Sequence, residues 1–211
     1  MPEFHQLQSY FPVSLGDQKL GLLQVMLNSL SGTPDSLEQW IGGVFWDEEN
    51  EEWSQPEEAP VWDLRMKGTS VQIKPHFMTW KASSIPGLST SWLEVSLLLK
   101  SEDIQADSLS GFNLRVLPLL EMLAIAMCKV LRPNELFFTN SSSAGSPWES
   151  LQSNDPSKIW DFDFAILSSN SGIDISTVPS DYECRTLTTN LHLIRSKWVS
   201  FDMKKGATKR S

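Results

Sequence analysis

The chain has 211 residues, is 40% hydrophobic and carries a formal net charge of -9, which is length enough for one sizeable core. Phosphate contacts need clustered Lys and Arg, so this balance argues against nucleic-acid binding and favours a basic protein partner. Two cysteines build neither a disulfide framework nor a Cys-rich metal site. No apolar run reaches bilayer length without a charge, and the Met1-Pro2-Glu3-Phe4-His5 start lacks the pattern of a signal peptide, so a soluble cytoplasmic protein with no membrane partner is expected.

Leucines, Val25 and Met26 recur at helical spacing over 18–30, ahead of Ser31-Gly32, and predict a first helix. The run 40–46, with a glycine pair inside aromatic and β-branched residues, reads as a strand. Residues 61–66 read as its hairpin partner, with the stretch between as the connection. Strands over 70–80 and 92–100 continue an antiparallel meander. A second helix runs from about Leu114 or Pro118 to Leu131 and stops at Arg132-Pro133, apolar on nearly all sides and therefore buried. Strands follow at 135–140, at 160–167 and within 190–203, with a Ser-rich loop at 141–155. The expected fold is α+β, a mostly antiparallel twisted sheet packed against two main helices. One domain spans 1–203, and the basic tail 204–211 (Lys204, Lys205, Lys209, Arg210) is expected to be disordered.

The densest chemical signal lies between Trp46 and Trp62. Asp47, Glu48, Glu49, Glu51, Glu52, Glu57 and Glu58 surround Trp53 there. Such a charge run is either a solvated hairpin tip or a surface that offers carboxylates where a basic partner expects anions. An exposed Trp53 among acids has the composition of an interface anchor with a charged rim, so these eight residues are the candidate partner-binding set. Nine tryptophans exceed the needs of a core this size, so some are expected at the surface.

Competing chemistry is thinner. Asp161 and Asp163 lie two apart on one face of the 160–167 strand, the spacing of a metal-binding or acid–base pair in a hydrolase. His5, His76 and His192 lack zinc spacing, and Cys184 becomes a reactive thiol only if His192 approaches it. Gly42-Gly43 is an isolated pair and no phosphate loop follows a strand, so no cofactor is expected. No catalytic residue stands out, which favours a binding protein over an enzyme; a structural or assembly role has no motif in its favour.

An early amphipathic helix is followed by a Trp-rich meander and then by the 117–131 helix, which leads into Pro133-Asn134-Glu135-Leu136-Phe137-Phe138. This order resembles bacterial immunity proteins that neutralise a cognate secreted toxin, over roughly two thirds of the chain. The resemblance implies a small acidic cytoplasmic protein that blocks a toxin by tight binding, and it transfers no functional residue.

Overall fold

A computed structural model describes residues 4–30, 32–66, 68–105, 112–113, 115–140, 159–171 and 173–196. The 141–155 loop and the 204–211 tail lie outside them. In chain order the strands are β1 (Phe4–Pro12), β2 (Phe45–Asp47), β3 (Glu52–Ser54), β4 (Trp62–Met66), β5 (Thr69–Trp80), β6 (Trp92–Lys100), β7 (Glu135–Asn140), β8 (Phe164–Ser168), β9 (Tyr182–Thr188) and β10 (Leu191–Ser196). The helices are α1 (Gly16–Asn28), α2 (Ser36–Gly42), α3 (Ser101–Ile104) and α4 (Leu117–Leu131).

Eight strands form one antiparallel sheet in the order β4-β5-β6-β1-β7-β8-β10-β9, and β2 with β3 makes a separate two-stranded ribbon. The fold is α+β, as its sequence pattern predicts. Side chains alternate across a strand, and here they feed two cores. Leu7, Leu97, Leu136, Phe138 and Ile166 join Leu23, Leu27, Leu120 and Leu123 of α1 and α4 on one side. Tyr10, Phe137, Ala165, Leu167 and Ile194 point the other way and are covered by Leu88 and Phe162 from loops. Strands buried on both faces read as continuous apolar runs, which is the pattern of 136–138 and 164–167.

α4 buries eight of its residues, including Leu119, Leu120, Leu123 and Leu131. Truncating one of these leucines to alanine removes about 2–5 kcal/mol of stability. Pro118 sits in the first turn, where its missing N–H is no loss. The helix ends at Arg132, which takes the left-handed conformation (φ 51°) just before Pro133.

Several expectations need correction. Residues 36–42 form a helix, not the start of a strand, because Leu37, Trp40 and Ile41 are spaced to face the core together. The expected hairpin of 40–46 with 61–66 does not form. β4 turns directly into β5 through Gly68 (φ 81°), with Met66 opposite Thr69, and β2 pairs only with β3. β8 begins at Phe164, so Asp161 and Asp163 precede the strand instead of lining its face. Within the 190–203 prediction the strand is Leu191–Ser196, and 197–203 lies outside the described residues. β1, at the centre of the sheet between β6 and β7, and β9, at its edge, are not expected from the sequence.

Candidate functional site

The acidic segment folds as a compact element of its own. In the ribbon Phe45 lies opposite Ser54, Trp46 opposite Trp53 and Asp47 opposite Glu52. A four-residue tip joins the strands. Asp47 shapes it: its Oδ1 accepts from the backbone N–H groups of Glu49 and Asn50, both at 3.0 Å, and its Oδ2 accepts from Asn50 Nδ2 at 2.8 Å. These bonds, led by the one from the Asn50 side chain, hold the Asp47 carboxyl below its ordinary pKa. Glu51 closes the turn at φ 52°.

Four polar contacts hold the ribbon to β5 and to Lys81 just past its end. The Trp53 backbone N–H donates to Thr79 Oγ1 at 2.8 Å. The Gln55 side chain acts as an extra strand residue, with its Nε2 donating to the Phe77 carbonyl and its Oε1 accepting from the Phe77 N–H, each at 3.2 Å. Lys81 Nζ meets Glu52 Oε2 at 2.6 Å. Gln55 can do this because β4 pairs with β5 only as far as Ile73, leaving the later part of β5 as an open edge.

Directly opposed residues share a face of a two-stranded ribbon, so Trp46 and Trp53 point one way and Phe45, Asp47, Glu52 and Ser54 the other. The tryptophan face is the inner one. The two rings meet edge to face with centroids 5.9 Å apart, and a methyl group at Gly16 would come within 2.1 Å of the Trp53 ring. Trp53 is only 7% exposed. The expectation of an exposed Trp53 anchor is therefore overturned: glycine at the start of α1 makes a seat for the indole, which belongs to the core.

Phe45 takes the outward position instead, at 57% exposure. The sequence pattern passes over it because 40–46 reads as one strand paired with 61–66; the ribbon register, with Trp46 opposite the buried Trp53, is what turns Phe45 outward. Of the seven predicted acids, Asp47 is engaged inside the element and Glu52 with Lys81 beside it. Glu48, Glu49, Glu51, Glu57 and Glu58 are exposed. Of the seven described tryptophans, Trp40, Trp53 and Trp62 are buried and Trp46, Trp80, Trp92 and Trp160 half-buried; Trp148 and Trp198 lie outside the described residues.

The other candidates do not converge. Asp163 is half-buried and Asp161 exposed. Burial, with a smaller contribution from Asp161, pushes the Asp163 carboxyl up to about 6. Among the described residues, no group of three or more His, Cys, Asp and Glu side chains is arranged to hold a metal ion. Cys184 lies opposite Ile194, while His192 lies opposite Thr186. Burial raises the Cys184 pKa, the reverse of an activated thiol. No described helix is long and apolar enough to cross a membrane. Comparison of the chain with protein-family models and with characterised proteins yields no match.

Proposed function

We propose that this chain is a non-enzymatic cytoplasmic binding protein whose acidic hairpin docks on a basic protein, in the manner of an immunity protein that neutralises a secreted toxin. The carrying observation is the β2–β3 ribbon, which exposes Phe45 at its open end and Glu48, Glu49 and Glu51 at its tip on a backbone clamped to β5. An exposed aromatic and exposed charges on one small element have the composition of an interaction surface. A ribbon ordered by Asp47 at its tip and by Gln55 at its base avoids about 0.5–1.5 kcal/mol of ordering cost per side chain on binding.

The exposed acids set the rate of encounter and Phe45 sets the lifetime of the complex. Reversal of Glu48, Glu49 and Glu51 to lysine slows association with the partner by about tenfold or more and flattens its dependence on salt. Glu52 stays in that variant because Lys81 already neutralises it. Stopped-flow or surface-based kinetics over a salt series reads both effects. An on-rate unchanged by the reversal removes the hairpin from the encounter.

A further inference from the structure

Where α1 meets the end of α4, three cations gather, none of them in an ion pair among the described residues. Lys19 is buried, its Nζ donating to the Leu131 carbonyl at 2.6 Å and lying 4.6 Å from the centre of the Phe11 ring. A carbonyl and a ring face satisfy an ammonium without neutralising it. Arg132 stands beside it, and its charge adds to burial in lowering the Lys19 pKa. Lys129 comes from the last turn of α4.

Two recesses open around this cluster, and Lys19 and Arg132 line both. The smaller, of about 430 Å³, has no acid among its described lining residues. The larger, of about 520 Å³, has apolar walls from Phe11, Leu15, Trp92 and Pro133, and its one described acid is Glu135. Burial pushes that carboxyl up to about 7, so it is largely neutral in weakly acidic solution. Capping the end of α4 uses one cation, Lys19. It leaves unexplained why a chain of net charge -9 holds like charges together beside an open, apolar-walled recess.

We propose that this cleft binds a small aromatic carboxylate, with the carboxylate between Lys19 and Arg132 and the ring along Leu15 and Trp92. A guanidinium presents a planar fork that matches a carboxylate. A dianion such as phosphate is less suited to a recess that shares a wall with Glu135 in an acidic protein. The site is independent of the acidic hairpin.

Isothermal titration of the full chain with naphthoate, and with naphthamide as its neutral isostere, tests the proposal. The acid is expected to bind at least about tenfold more tightly than the amide. Arg132→Gly removes the guanidinium at a left-handed position that glycine favours, so the thermal midpoint holds while naphthoate weakens about tenfold. Lys19→Met keeps the aliphatic stem against Phe11 and weakens naphthoate in the same sense. Equal affinity for acid and amide, no binding at about 10 mM naphthoate, a range reached by weak fragment-sized ligands, or an unchanged affinity in Arg132→Gly would overturn it.

Discussion

Phe45 and Trp53 occupy opposite faces of one ribbon, and a single substitution at each separates stability from binding. Trp53→Ala empties the seat made by Gly16 and is expected to cost about 3–5 kcal/mol, read as a shift in the urea midpoint. Gly16→Ala forces the same ring from its seat and costs about 1–3 kcal/mol. Phe45→Ala removes an exposed ring and leaves stability within about 0.5 kcal/mol, while on the proposed docking it is expected to shorten the lifetime of the complex. Equal destabilisation by Phe45→Ala and Trp53→Ala contradicts the assignment of faces. Two half-buried acids add a pH signature. Glu135 and Asp163 have folded pKa values of about 7 and about 6, above their ordinary 4.5 and 3.8. Between about pH 4 and 7 the folded chain therefore keeps protons that the unfolded chain has lost, and stability falls as pH rises through that window. Changing Glu135 to Gln and Asp163 to Asn together should flatten the fall and gain on the order of 1–3 kcal/mol at pH 7. A thermal midpoint that still drops equally from pH 5 to 7 in the double variant counts against this reading.

The β2–β3 ribbon owes its position to side chains that imitate backbone. Gln55→Ala leaves the Phe77 N–H and carbonyl without the partners they have here, a loss of about 1–3 kcal/mol. Amide exchange at Phe77 should quicken while exchange at Leu97 in the middle of β6 stays slow; no change at Phe77 would mean that the side chain is not closing the edge of β5. Such a clamp has no linear signature, which is why the sequence pattern places acids in a hairpin but pairs the wrong strands. Local pattern suffices for α1 and α4, where apolar spacing, Pro118 and Pro133 mark stripe and ends. It fails for β1, whose buried His5, Gln8 and Ser9 look like surface residues in the sequence. Tertiary partners explain two of them: His5 Nδ1 lies 2.9 Å from Ser101 Oγ, and Gln8 Nε2 donates to Thr139 Oγ1 at 3.1 Å. β9 is missed for the opposite reason. It is exposed along most of its length and carries no apolar alternation. In α2 β-favouring residue types suggest a strand, whereas the spacing of Leu37, Trp40 and Ile41 decides for helix once the sheet offers a surface to cover.

Across the molecule, stability is expected to grade from the centre of the sheet to its β9 edge. β1 and β6 pair over nine residues and carry fully buried Leu7, Leu93, Leu97 and Leu99, so their amides should exchange only by global unfolding. β9 has one strand neighbour and little burial, and its amides should open at a free energy well below the global value. Uniform protection across β1, β6 and β9 would show instead that the sheet opens as one unit. This arrangement places the acidic ribbon against β5 near the other end of the sheet, braced by α1 through Gly16 and Trp53. A rigid charged edge is suited to seizing a partner of opposite charge without refolding. The decisive comparison is capture from native lysate at low salt by three baits: the wild-type chain, Phe45→Ala, and the lysine reversal of Glu48, Glu49 and Glu51, with equal thermal midpoints verified beforehand. One basic protein held stoichiometrically by the wild type and lost from both variants is the expected result. Capture that both variants retain, or no partner on the wild-type bait, would count against the acidic hairpin as the binding surface.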